Sequence, residues 1–195
     1  MDPKQEKTLV LIKPDGVKRG LVGEIISRFE KRGLKVIALE MIQAAPEQID
    51  NHYPKDEEWI KRLGEKTLAN YKEFGLDAKK ELGTDNPDEI GQMVRSWLIG
   101  YMTSGPMVKM IIEGVHAIKM VRKIVGKSMP SEAEMGTIRG DFSVDSATVA
   151  NKNKRAIHNI VHASETPEEA ENEIKLWFSL EDIFDYKRAE EDIMF

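Results

Sequence analysis

Thr8-Leu9-Val10-Leu11-Ile12-Lys13-Pro14-Asp15-Gly16 sets a short apolar run of strand type against a turn that Pro-Asp-Gly forces, so Lys13 falls at a strand end. Beyond the turn, Leu21, Val22, Ile25, Ile26 and Phe29 recur at helical spacing as far as Arg32, and Gly33 supplies the stop. Leu34 to Ile42 then alternates as a second strand, which completes a βαβ unit. A second unit closes the chain. Met107 to Ile112 reads as a third strand, His116 to Val125 as a helix with Ala117, Ile118, Val121 and Ile124 inward, and Ala156 to Val161 as a fourth strand. Two such halves predict an α+β fold, the ferredoxin-like split βαβ sandwich: a four-stranded antiparallel sheet with helices across one face.

Between the halves the pattern turns helical. From Asp56 to Phe74, Trp59, Ile60, Leu63, Thr67, Tyr71 and Phe74 share a face, with Gly64 weakening the middle. Asp85-Asn86-Pro87-Asp88-Glu89 opens another helix whose apolar stripe ends at Ser104-Gly105-Pro106. Gly126 to Asn153 shows almost no periodicity, and a long irregular stretch in a compact chain is usually functional. A helix from Pro167 to Phe178 and a polar tail with Phe184 and Tyr186 follow.

The 195 residues suit one domain spanning 1–195, with no need of staples, and there is no cysteine, which excludes disulfides and thiolate metal sites and fits a reducing cytoplasm. Met1 to Lys7 is polar and no apolar run approaches a membrane span, so a cytoplasmic protein without membrane partners is expected. A net charge of −5 gives no global field for nucleic acid, and no nucleic-acid partner is expected.

The chemistry is sought in Asn159-Ile160-Val161-His162-Ala163-Ser164-Glu165, which runs into a helix start at Thr166-Pro167-Glu168-Glu169. His162 is delivered at a strand end, and Glu173 on the following helix is placed to reach one ring nitrogen and leave the other free to attack. Lys13, Arg122, Ser128, Arg139 and Asn159 add phosphate-suited groups at element ends, although spacing alone favours Arg122 and Arg139 as solvated or surface-paired charges. Gly126-Lys127-Ser128 is not a phosphate loop, because Val121 stands where the first glycine is required. His52, His116, His158 and His162 are scattered, without metal-ligand spacing.

Lys13-Pro14-Asp15-Gly16-Val17, Ser104-Gly105-Pro106, Glu113-Gly114, Gly136-Thr137-Ile138-Arg139-Gly140-Asp141-Phe142 and Asn159-Ile160-Val161-His162-Ala163-Ser164 resemble, in order, the signature blocks of nucleoside diphosphate kinases. The resemblance implies ping-pong transfer of a γ-phosphoryl group from a nucleoside triphosphate to a nucleoside diphosphate through a phosphohistidine. Carried over residue by residue, it makes His162 the nucleophile, Glu173 its hydrogen-bond partner and Ser164 the support of that contact. It puts Lys13 on the transferring phosphate and the 3′-hydroxyl, Asn159 on the sugar, and Arg122, Ser128 and Arg139 on the phosphates. Tyr53 matches a tyrosine that packs near the catalytic histidine. Mg2+ would bridge the phosphates with few or no direct protein ligands, Glu165 touching it at most through water. A homo-oligomer, hexamer or tetramer built from dimers, is implied as well.

Four departures stand out. The segment between Tyr53 and Ser104 is longer than in the family, so a helical insertion at about 55–100 is expected, and Trp59 and Leu63 are the substitutes for the family's base-stacking aromatic. Ser128 replaces Thr, and Glu165 replaces Asp. Ile157-His158 replaces Gly-Arg, which leaves His158 without a carried role. An inactive nucleotide-binding regulatory or scaffold protein of the same fold is the competing expectation.

Overall fold

In a computed structural model, residues 5–194 are described; the polar start read at Met1 to Lys4 lies outside them. The elements run β1 (Glu6–Ile12), α1 (Pro14–Lys18), α2 (Val22–Lys31), β2 (Lys35–Ile42), α3 (Pro46–His52), α4 (Glu57–Glu73), α5 (Ala78–Leu82), α6 (Pro87–Met102), β3 (Met107–Gly114), α7 (Ala117–Val125), α8 (Ile138–Phe142), α9 (Ala147–Lys152), β4 (Val161–Ala163), α10 (Pro167–Trp177) and α11 (Glu191–Met194). The sheet has four strands in the order β2-β3-β1-β4, every neighbouring pair antiparallel. β3 therefore lies between β1 and β2, the split βαβ arrangement expected.

Helices cover both faces of the sheet and not the one face expected, so the central β1 is buried on both sides and reads as a continuous apolar run rather than an alternating one. Val10, Ile12, Val108 and Met110 point to a core closed by Ile25 and Phe29 of α2 and Val121 and Val125 of α7. Leu9, Leu11 and Ile111 point the other way, onto Ile49, Tyr101, Met102 and Trp177. Alternate side chains of a strand face opposite sides, so β1 supplies both cores at once.

The helices between Tyr53 and Ser104 form a hairpin of α4 and α6, with the short α5 between them. Gly64, taken as a weak point, is the contact. A Cβ there would lie 1.8 Å from the Pro87 carbonyl oxygen, and one on Gly91 would lie 2.0 Å from the Ile60 carbonyl oxygen, so the two glycines let the helices meet backbone to backbone. Phe74, placed on the inward face, is instead exposed beyond the end of α4. The hairpin also braces the segment that looked aperiodic, which contains α8 and α9: the Tyr71 hydroxyl donates to the Asn151 carbonyl at 3.1 Å, and the Asn151 amide donates to Asn70 Oδ1 at 3.0 Å.

The fourth strand is the main correction. It spans Val161–Ala163, not Ala156 to Val161, so His162 sits within the strand, opposite Leu11, rather than past its end. The reason lies at Ile160, whose φ of 69° is a left-handed conformation that costs a β-branched residue roughly 1–3 kcal/mol. Three contacts hold it there: the Val161 N–H turns back to the Asn159 carbonyl at 2.7 Å, the Lys13 N–H donates to the Ile160 carbonyl at 2.7 Å, and the Ile160 N–H donates to Asp15 Oδ2 at 3.2 Å. The turn delays the strand and ties it to the end of β1.

Candidate active site

β1 pairs with β4 so that His162 lies opposite Leu11, and Lys13, two residues on, shares that face of the sheet, which brings the two diagonally together although they are far apart in sequence. Thr166 accepts from the Glu169 N–H and starts α10, which returns along β1 and carries Glu173 to the imidazole. Glu173 Oε1 lies 2.7 Å from His162 Nε2, and Oε2 accepts the Ser164 hydroxyl at 2.7 Å. Ser164 is itself fixed by the Leu9 N–H, which donates to its Oγ at 3.3 Å. With a carboxylate as partner, Nε2 carries the proton and Nδ1 keeps its lone pair.

His162 is half-buried. Burial, and then the charges of Lys13, Arg139 and Arg122, hold its pKa well below the usual imidazole value, against the opposing pull of Glu169. The ring is neutral at physiological pH, as a nucleophile must be. Burial pushes the Glu173 carboxyl up, while His52 and the Ser164 hydroxyl oppose the shift.

Lys13 is buried, and its Nζ donates to Asn159 Oδ1 at 2.7 Å. Burial chiefly, then Arg139, lowers its pKa to about 7, with Asp15 working against the shift. Asn159 in turn donates through Nδ2 to the Ser128 carbonyl at 2.9 Å, which brings the Ser128 loop to the site. Arg139 is buried and donates to the carbonyls of Asn159, Gly126 and Val161 at 3.2, 2.9 and 2.6 Å. It was expected simply as a phosphate holder. Three of its five N–H groups organise backbone around His162, and the remaining two are left for a ligand. Arg122 is half-exposed and pairs with Glu165 at 3.0 Å.

Tyr53 meets His52 edge-on, ring centroids 5.1 Å apart, and stacks on Trp59 at 6.2 Å, so Trp59 is joined to the site through Tyr53. Leu63, half-buried, follows Trp59 by one helical turn. Three contributors escaped the sequence reading. His52 stands 4.6 Å, ring to ring, from His162, and Trp177 donates its indole N–H to His52 Nδ1 at 3.3 Å. Tyr101 lies between Lys13, 5.6 Å from its ring centre, and His158, stacked on it at 4.9 Å. The only signal available for Trp177 was its position four residues after Glu173, on the same helical face.

A neutral histidine braced by a carboxylate, with the charges of Lys13, Arg139 and Arg122 acting on it, is an arrangement chemically suited to taking up a phosphoryl group. The family model for nucleoside diphosphate kinase matches residues 6–63 and 88–183. The unmatched stretch, 64–87, falls inside the span read as an insertion. A nucleoside diphosphate kinase of Pyrobaculum aerophilum is 51% identical over 92% of this chain and 98% of its own. Nucleoside diphosphate kinase B of Mus musculus is 36% identical over 96% and 95%. Among solved structures, an NDP kinase from Pyrobaculum aerophilum superimposes with a TM-score of 0.90 at 50% identity, covering 93% of this chain and 100% of that one. The Borrelia burgdorferi nucleoside-diphosphate kinase, solved as a transition-state mimic with vanadate and ADP, superimposes with a TM-score of 0.76 at 34% identity, covering 95% and 94%. The chain belongs to the nucleoside diphosphate kinase family.

Proposed function

We propose that this chain moves the γ-phosphoryl group of a nucleoside triphosphate to a nucleoside diphosphate in two half-reactions through His162. The Nδ1 lone pair attacks the γ-phosphorus; the bond to the β,γ-bridging oxygen breaks, and the nucleoside diphosphate leaves with that electron pair. The proton stays on Nε2, which donates it in a hydrogen bond to Glu173, whose negative charge offsets the positive charge that develops on the ring. In the second half-reaction a terminal β-phosphate oxygen of a different diphosphate attacks the phosphohistidine, and Nδ1 recovers its pair. The bond at 2.7 Å between His162 Nε2 and Glu173 carries this reading, because it commits one nitrogen and frees the other.

Lys13, Arg122 and Arg139 meet the equatorial oxygens, where phosphoryl transfer requires positive charge, with Ser128 on the phosphates and Asn159 on the sugar. Trp59 and Leu63 receive the base, and Tyr53 backs the site through His52. Among the described residues the cluster able to hold a metal is His52, His162 and Glu173, too rich in nitrogen and too buried for Mg2+. Mg2+ would instead enter with the nucleotide, where it would supply charge neutralisation, and Glu165 is the residue of this chain that would reach it through water. Every charged group of the carried-over set is in place, which opposes the inactive-scaffold reading.

A homo-oligomer built from dimers is supported by β2, a sheet edge whose alternate residues Leu39 and Met41 are 50% and 57% exposed. Among the described residues no helix is long and apolar enough to cross a membrane, and the lack of cysteine suits the cytoplasm. The test is to mix the purified protein with γ-labelled ATP and a divalent cation. Acid-labile, base-stable label should appear and be removed by a different diphosphate, and folded His162→Ala should take none. Label on wild type that survives the chase, or label on His162→Ala, overturns the proposal.

A further inference from the structure

His52 is buried against the catalytic pair, yet the chemistry above gives it no part beyond carrying Tyr53's packing to the site. Its side chain is 1% exposed. Nδ1 has two protein neighbours. The Trp177 indole nitrogen lies 3.3 Å away, and Glu173 Oε1, the same oxygen that holds His162, lies 3.4 Å away.

These two neighbours demand opposite states of Nδ1. An indole N–H can only donate, so Nδ1 must be unprotonated to meet Trp177, and a carboxylate oxygen can only accept, so Nδ1 must be protonated to meet Glu173. The ring is neutral, because burial first and the neighbouring His162 second lower its pKa to about 3. It thus has one proton to place. Trp177 and Glu173 sit four residues apart on α10, so one rigid helix presents both to the ring.

We infer that Trp177 and His52 form a tautomer lock that keeps Glu173 Oε1 committed to His162, which makes His52 and Trp177 positioning residues for the transfer. With the indole donating to Nδ1, the His52 proton resides on Nε2 and Nδ1 faces Oε1 with a lone pair, making no claim on it. Without the indole, the proton moves to Nδ1 and His52 donates to Oε1. The bond from His162 weakens, and His162 more readily carries its proton on Nδ1, where the attacking lone pair should be. The edge-on packing of the two rings, with an interplanar angle of 86°, resists reorientation of the His162 plane while this holds.

The inference rests on His162 as the nucleophile, and the experiments separate the two. Trp177→Phe should slow phosphoenzyme formation in rapid-quench labelling by roughly ten- to a hundredfold, the loss of one hydrogen bond to a charged group. Adding His52→Phe, which removes the competing donor, should bring the rate back to within about threefold of wild type, a non-additive recovery that lost packing does not produce. Ring-nitrogen NMR of histidine-labelled wild type should show His52 protonated on Nε2 and not on Nδ1, a measurement that needs no variant to fold. An unchanged rate in Trp177→Phe, a double variant as slow as the single one, or a proton on His52 Nδ1 overturns the lock. Wild type that takes no label at all would refute the nucleophile instead, and would leave the tautomer result standing.

Discussion

Replacing Glu173 by glutamine removes the charge opposite His162 while keeping its shape and an oxygen able to accept the Nε2 proton. At the observed 2.7 Å and an effective dielectric of about 20, a full charge pair is worth roughly 6 kcal/mol, a ceiling that only a fully formed imidazolium would reach. The hydrogen bond itself survives in neutral form, so the expected loss is that of charge assistance, the difference between a charged and a neutral bond, about 1–1.5 kcal/mol. That corresponds to a fall of roughly tenfold in the rate of phosphoenzyme formation. Nucleotide affinity should hold, because Glu173 is buried beneath the imidazole and faces no phosphate. Rapid-quench labelling with γ-labelled ATP over a range of concentrations separates the two quantities. A rate within about twofold of wild type would refute the assignment of Glu173 as the group that answers charge on His162.

Lys13, with a pKa near 7 in the free protein, loses its charge as pH rises through neutrality, so kcat/KM should decline over that range, and nucleotide phosphates should restore the charge on binding. Calorimetry in buffers of different ionisation heat at about pH 8 should then show close to one proton taken up per nucleotide; release, or no exchange, refutes it. For stability the sign follows from the same lowered pKa: between about 7 and 10.5 the unfolded chain holds the Lys13 proton that the folded one has lost, so this residue makes stability rise with pH there. Gly64→Ala drives a methyl against the Pro87 carbonyl and should cost at least about 1–3 kcal/mol in denaturant or thermal unfolding. An unaltered midpoint would show that the two helices part freely. Trp59→Ala should raise KM with little change in kcat if its ring meets the base; a KM left as in wild type removes Trp59 from the nucleotide site.

Local pattern was enough for much of this molecule. Strand and helix periodicities around Lys13-Pro14-Asp15-Gly16 and His162 specify two βαβ halves, because the alternation of buried side chains is written directly into adjacent residues. The pairing of His162 with Glu173 was also legible, since both lie on consecutive elements joined by the short Thr166-Pro167 cap. The places where sequence misled are those where distant backbone overrides local preference. Ile160 reads as strand, but the Lys13 N–H and Asp15 hold it in a left-handed turn. Gly64 reads as a flaw in a helix until Pro87 is seen against it. Arg139 reads as a free cation, whereas folding directs its fork into three carbonyls.

His52 is the plainest case. It lies 110 residues from His162 in the chain, with no motif around it beyond the Tyr53 that follows. Its chemistry exists only because α3 and α10 cover the same face of the sheet and bring its ring to Glu173 and Trp177. Which residues are able to do chemistry is a property of side-chain type and spacing, and the chain alone determined that. Which nitrogen carries each proton depends on partners within about 3.5 Å, and those only the tertiary fold assembles.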